Sequence, residues 1–119
     1  MKTDNILLEK SMSFAIRIVK LCRFLKRKNI EAALIGQVIR SGTSIGANVH
    51  EARSAQSKAD FISKLSIALK EADETGFWLE LLRRTDSLTD AEFNSMEHDR
   101  GELFALLTSI LKTLKSRGC

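Results

Sequence analysis

Residues 41–52 read SGTSIGANVHEA, and this stretch decides the fold of the chain. Its two glycines, three hydroxyl side chains and asparagine are poor helix formers that together cost a helix roughly 4 kcal/mol relative to alanine. Yet an inward-facing stripe continues through the stretch at helical spacing. Its members are Ser41, Ile45, Asn48 and Ala52. We therefore predict a helix here, with polar side chains on the inner stripe that need hydrogen-bond partners.

Gly42 and Gly46 lie four residues apart, on one flank of this predicted helix. Without side chains there, another helix can approach closely. That helix belongs either to the same chain, with or without a kink, or to a second copy, which makes both glycines candidate oligomer-interface residues. A phosphate-cradling loop is the third interpretation, but the stretch lacks the spacing of such loops and follows no strand.

Apolar residues recur at spacings of three and four through four segments of the chain, as in amphipathic helices. We place these helices at about 4–28, 30–54, 57–84 and 90–116. Because the connections are short, neighbouring helices are expected to run antiparallel. The sequence thus predicts an all-α protein, an antiparallel up-down-up-down four-helix bundle that occupies residues 1–119 as one domain.

Helix boundaries have their own signals. A short turn at residues 28–29 offers Asn29 as a cap, and Ser57 precedes an acidic first turn, as N-cap residues do. Thr89 and Glu92 form a T-x-x-E capping box, so the fourth helix is predicted to start at about residue 90.

The composition, with 44% hydrophobic and 29% charged residues, is that of a soluble globular chain. The apolar runs fall short of the roughly 18 residues of a membrane span, and the start lacks a secretory signal. Of two cysteines, Cys22 lies on an apolar helix face and is expected to be a buried free thiol, whereas Cys119 is expected to be frayed. We predict a cytoplasmic protein without disulfides or membrane contact.

Charge is unevenly distributed along a chain of net charge +4. Residues 10–28 carry seven basic residues and no acid, whereas residues 86–102 carry six acids and one arginine. The candidate nucleic-acid-binding residues, predicted opposite the core stripe of the first helix, are Arg17, Lys20, Arg23 and Arg27. The alternative is that these basic residues pair with acids of the fourth helix, which an up-down bundle places beside the first. The pairs would form among Arg23, Arg27, Glu92 and Glu97.

Catalytic and metal-binding patterns are weak. Neither histidine has the Glu-x-x-His spacing of di-iron bundles, and there is no Cys-x-x-Cys pair. His98 and Glu102 share a helix face, but two ligands on an acidic helix are usually solvated. We predict no cofactor, no metal and no enzymatic activity.

Apolar residues exceed what one core stripe needs. Ile16 falls among the basic residues of the first helix, and Trp78 and Leu81 lie on a flank of the third. Trp78 and Leu81 either fill an irregular core or anchor an oligomer interface, and we include all three residues among the candidate interface residues.

Residues 40–82 read RSGTSIGANVHEARSAQSKADFISKLSIALKEADETGFWLELL. The run closely resembles a four-helix-bundle family named for proteins encoded in intervening sequences of bacterial 23S ribosomal RNA genes. SGTSIGAN, AQSKADF and SIALKE followed by W-x-x-LL carry the resemblance, and ILLEKSMSFAIRIVKL is similar to the family's first helix. The resemblance implies a bacterial, cytoplasmic homo-oligomer, typically a pentameric ring. The family is also distantly similar to the accessory protein of diversity-generating retroelements, which partners a reverse transcriptase and nucleic acid.

Two functions are compatible with these features. The first is a non-enzymatic, oligomeric accessory module that binds RNA or DNA through the basic surface of the first helix. The second is a structural or protein-interaction scaffold, with its partner bound near Trp78 and no role in nucleic-acid binding.

Overall fold

The computed structural model describes residues 2–117, with side chains for residues 5–117, and contains four α-helices in that range. They are α1 (Lys2–Arg27), α2 (Ala32–Ala52), α3 (Lys58–Arg84) and α4 (Asp90–Arg117). Each begins and ends within two residues of the bounds expected from the sequence. No strand occurs within the described range, which is therefore all-α. Cys119 lies outside it.

The helices contact one another in cyclic order: α1 packs on α2, α2 on α3, α3 on α4, and α4 on α1. Within residues 2–117, the backbones of α1 and α3 do not approach each other closely, and neither do those of α2 and α4. The described chain measures 48 × 22 × 21 Å. No helix in this part combines the length and apolar character that a membrane span requires.

One stripe of each helix faces a common core. The largest fully buried hydrophobic side chains of this core are Phe14, Ile18, Leu25, Val38, Ile45, Leu65, Leu79, Leu82, Leu103 and Leu107. These positions follow the spacings of three and four on which the four helices were predicted.

Residues 41–52 are helical, as predicted, and close packing within the chain offsets their low propensity. A Cβ atom added at Gly42 would lie 2.6 Å from Cγ1 of Ile18, and one at Gly46 would lie 3.2 Å from the carbonyl oxygen of Ser11. Both glycines therefore let α1 approach α2. The space that they leave open is occupied by α1 of the same chain, which favours the intramolecular interpretation, and their role in an oligomer interface stays a prediction.

Polar side chains on the inner stripes bond to their own helices. Ser41 Oγ donates to the Gln37 carbonyl at 2.9 Å, and Asn48 Nδ2 donates to the Ser44 carbonyl at 2.8 Å. On α3, the buried Thr75 hydroxyl donates to a carbonyl oxygen one turn earlier at 2.7 Å. Backbone carbonyls are thus the partners that these buried groups require.

The predicted caps are present at both helix starts. Ser57 Oγ accepts a hydrogen bond from the Asp60 amide at 3.0 Å. Thr89 and Glu92 exchange side-chain to backbone hydrogen bonds of 2.8 and 3.1 Å, and α4 begins at Asp90. The capping box therefore sets where the acidic part of α4 lies beside α1.

Candidate nucleic-acid interface

The end of α1 is fixed by a left-handed residue. Asn29 has a φ of 59°, a conformation that asparagine tolerates well. The amides of Asn29 and Ile30 donate to the carbonyls of Lys26 and Leu25, which is the Schellman pattern of helix termination. The basic residues of the last turns lie near the negative end of the helix dipole, which they stabilise.

Four cations near this end are exposed and unpaired within the described part of the chain. They are Lys20, Arg23, Lys26 and Arg27. At 100° per residue, these side chains fall within an arc of about 120°, and they span roughly 10 Å along the helix. This surface, which we call the basic end of α1, is a compact group of charges suited to phosphate contacts.

Arg17 does not belong to the basic end. Its guanidinium donates to Asp99 Oδ2 at 2.7 Å and to the backbone oxygen and hydroxyl of Ser95 at 3.0 and 2.7 Å. Arg17 therefore bridges α1 to α4. Its contact with nucleic acid stays a prediction, and we leave it out of the basic end because its donors are already used within the chain.

The pairing of Arg23 and Arg27 with acids of α4 does not form either. Glu92 is used in the capping box, and the Glu97 carboxylate bonds the Arg100 guanidinium at 2.7 and 2.6 Å. This hydrogen-bonded contact with Glu97 raises the pKa of Arg100. The acids of α4 thus leave the basic end of α1 without partners.

Sequence reasoning did not single out two further sets of cations. The first is Lys26 alone, which lies within the basic end of α1. Its position in the basic run at residues 10–28 was the signal that could have identified it. Near the start of α3 and the end of α4, the exposed cations Lys58, Lys112, Lys115 and Arg117 form no ion pair with another described residue. A count of charges by helix would have found this second basic region.

The predicted interface residues have different exposures. Ile16 is 48% exposed and lies one turn after Met12, which is 59% exposed. Trp78 and Leu81 are only half-buried, and Trp78 Nε1 donates to Glu74 at 2.9 Å. Their neighbour Phe77 is 59% exposed, so it offers more apolar surface than either of the predicted residues.

One group of residues has the geometry for metal ligands. Ligand atoms of His98, Asp99 and Glu102 lie within 4.8 Å of one another. However, Asp99 is bonded to Arg17, and Glu102 is bonded to Lys10 at 3.1 Å. A metal ion would compete with both cations for these carboxylates, which weakens the group as a metal site.

A cavity of about 500 Å³ opens at the other end of the bundle, between the start of α1, the end of α2 and the start of α3. Its walls are mostly apolar, and Asn5, Arg53 and Ser57 line it as polar residues. The Arg53 guanidinium contacts the His50 ring at 2.9 Å. Among the side chains of residues 5–117, no constellation of nucleophile and base lines this cavity.

Known proteins resemble this chain over almost its whole length. The model of the 23S rRNA-intervening sequence protein family matches residues 3–109. A crystal structure of a protein with unknown function from the S23 ribosomal protein family of Bacteroides thetaiotaomicron VPI-5482 has a TM-score of 0.90 and 53% identity, covering 92% of this chain and 98% of that one. Neither description names a reaction, and no curated protein matches significantly. The chain belongs to the 23S rRNA-intervening sequence protein family.

Proposed function

We propose that this protein is a non-enzymatic accessory module that associates with nucleic acid, in the form of a homo-oligomer of antiparallel four-helix bundles. The order of inter-helix contacts supports the up-down-up-down arrangement. Along α1 and α4, Lys10 contacts Glu102 and Arg17 contacts Asp99. Residue numbers thus rise on one helix while they fall on its neighbour. The contact of Lys28 with the Ser87 carbonyl at 3.1 Å continues this trend.

Nucleic acid is proposed to bind at the basic end of α1. The observation that carries the proposal is that Lys20, Arg23, Lys26 and Arg27 are exposed on one face while nearby acids are bonded elsewhere. Unpaired cations are the groups that replace counterions on a phosphate backbone. The described chain has no exposed aromatic residue at this end, which favours phosphate contacts over base stacking.

Self-association increases the effect of this small surface. Four cations on one chain support only weak binding, but a ring presents the surface repeatedly and gains avidity. We propose a ring of several copies, with five as the number implied by the family resemblance.

The test is a titration of a fluorescent single-stranded RNA of about 20 nucleotides with the nuclease-treated protein. The triple variant Lys20→Gln, Arg23→Gln, Arg27→Gln is expected to bind at least about tenfold more weakly. The slope of log affinity against log salt should fall by about 2, since each phosphate contact contributes roughly 0.7 for single strands. Repeating the titration with DNA measures whether the protein prefers either nucleic acid.

The matched control removes the same number of charges from the second basic region through Lys112→Gln, Lys115→Gln and Arg117→Gln. It has the same net charge as the first variant and is expected to retain most of the affinity. Equal loss in both variants would mean that only net charge matters, and loss in the control alone would place the site on α4. Unchanged binding by the α1 variant would contradict the proposal.

A protein-interaction scaffold is the second candidate function, and the exposed Phe77 favours it. In that case RNA would bind weakly or not at all, whereas Phe77→Ser would abolish the capture of a protein partner without changing the fold.

A further inference from the structure

The outer face of α1 carries an apolar groove. Met12, Ala15, Ile16 and Val19 line a depression of about 270 Å³ whose remaining walls are Lys20 and Arg23. Met12 and Ile16 are both about half exposed, and the two cations are unpaired within the described residues. Exposed apolar side chains beside unpaired charges are typical of protein interfaces.

The outer face of α3 has the complementary character. Phe77 protrudes there, and its ring makes an edge contact with Trp78 at a centroid distance of 4.9 Å. Phe77 also borders a groove of about 370 Å³ between α3 and α4, which is lined by the carboxylates of Asp73, Glu80 and Glu97 and by the guanidinium of Arg100, which bonds Glu97.

The carboxylates lie on both sides of Phe77 along α3. Asp73 precedes it by about one turn and is exposed, without an ion pair within the described chain. Glu80 follows it by about one turn and bonds Arg83 at 2.6 Å. Asp73 is therefore the carboxylate within one turn of Phe77 that a second copy can pair with.

These two faces belong to diagonal helices. The cyclic order of neighbouring helices places α1 and α3 on a diagonal of the bundle, so their outer faces point away from each other. A contact between them cannot be made inside one chain, and a two-fold symmetric pair cannot bring both onto a single interface. Such surfaces join copies head to tail, which generates rings or filaments.

We propose that Phe77 of one copy packs into the α1 groove of a second copy, with Asp73 beside Phe77 facing Lys20 and Arg23. The inference rests on the self-association in the proposed function and names its two surfaces. Ile16 keeps the interface position predicted for it from the sequence. Phe77, in place of Trp78, is the aromatic anchor of the interface. Lys20 and Arg23 then lie at the boundary between the interface and the basic end of α1.

The test uses two variants, each with one broken face, measured by light scattering on nuclease-treated protein. Ile16→Glu places a charge in the α1 groove, and Phe77→Lys removes the protruding ring. Each variant alone is expected to be a monomer. An equimolar mixture is expected to form a dimer of one copy of each, since one retains an intact α3 face and the other an intact α1 groove. The control Ile39→Glu alters an isoleucine on α2 that is 37% exposed, and it is expected to assemble like the parent.

The outcomes separate the two proposals. A monomeric parent protein would contradict self-association itself. An oligomeric parent whose Phe77→Lys variant still assembles, or a mixture that stays monomeric, would overturn only the assignment of the two faces. If either charged variant fails to fold by circular dichroism, Ile16→Ser and Phe77→Ser replace them with the same expected pattern. Because Phe77→Lys leaves the basic end of α1 unchanged, this monomer is expected to bind RNA more weakly than the parent through loss of avidity, and to lose further affinity when the three glutamine substitutions are added.

Discussion

Helix α1 packs closely on α2 through small and apolar residues, whereas long polar side chains form ion pairs along the outer edge of its contact with α4. On the α2 side, Gly42 receives the side chain of Ile18, and Gly46 lies against the backbone of Ser11. On the α4 side, Arg17 and Lys10 reach across to carboxylates, and two grooves of about 460 and 220 Å³ lie between the helices.

The difference shows that one helix can be held by two kinds of force. The α1–α2 contact depends on the missing side chains of the α2 glycines, so an added methyl group has no room. The α1–α4 ion pairs join charged groups that are partly exposed to solvent, so each pair contributes little to stability. We therefore expect substitutions on the α2 side to have the larger effects.

The largest effect concerns the reactivity of Cys22, which lies on the α2 side with its sulfur 3.8 Å from the Ile35 carbonyl oxygen. Burial raises the pKa of this thiol from 9.0 to about 11, so roughly 100-fold less thiolate is present at pH 8. In a Cys119→Ser chain, a thiol reagent should react at least about 100-fold more slowly with the folded protein than in urea.

The sign of the pH effect follows from the same shift. Because the pKa of Cys22 is higher in the folded state than in the unfolded state, its contribution to stability is complete below pH 9 and is lost as the pH rises towards 11.

As a control for the thiol reactivity, Ser13→Cys in a Cys22→Ala, Cys119→Ser background puts a thiol on the α4 side, where it should react rapidly. Equal rates at both positions would mean that the two contacts are equally open.

Next in size is the comparison of two glycines on α2. A Cβ at Gly42 would lie within 3 Å of three side-chain atoms of the buried Ile18, whereas one at Gly36 would meet nothing within 4 Å. Gly36→Ala should therefore raise the free energy of unfolding by up to about 1 kcal/mol through helix propensity. Gly42→Ala gains the same propensity but overpacks the core, at a cost of about 1–3 kcal/mol.

Urea unfolding of both variants measures this difference. Since the helix propensity cancels between them, the gap of about 1–3 kcal/mol reports the closeness of α1 to α2. If the two variants had equal stability, Ile18 would have room to move, and the contact would be looser than the structure indicates.

The sequence was sufficient for the helices and their caps because those depend on local spacing. Thr89 and Glu92 interact within one turn, and residues 41–52 continue a stripe that the neighbouring residues define. It was not sufficient for the partner of Arg17. The sequence places several acids on α4, and only the rotation of α1 against α4 selects Asp99 among them.

The exposed aromatic residue of α3 illustrates the same limit. Phe77 and Trp78 are adjacent, so their side chains point about 100° apart on the helix. A modest rotation of α3 decides which of them is exposed, and the apolar pattern allows either. The structure exposes Phe77 and turns Trp78 towards Glu74, which only the packing of α2 and α4 against α3 could determine.

A smaller effect is expected on the α4 side from Arg17→Met, which keeps the apolar stem and removes the guanidinium. The variant loses three hydrogen bonds to Ser95 and Asp99, but these groups are partly exposed and water replaces the donors. We expect a loss of about 1 kcal/mol in the free energy of unfolding. RNA affinity should remain within about twofold of the parent, because Arg17 does not belong to the basic end.

The smallest effect is expected from Lys10→Met, on the same side of α1. Lys10 makes a single bond of 3.1 Å to Glu102, and both side chains are nearly half exposed. Such a pair contributes a few tenths of a kcal/mol, and salt screens most of it. Urea unfolding at about 0.02 M and 0.5 M salt should therefore separate Lys10→Met from the parent only at low salt, whereas the loss in Arg17→Met should persist. If Lys10→Met cost as much as Gly42→Ala, the two sides of α1 would be held equally, and the contrast between packing and ion pairs would not hold.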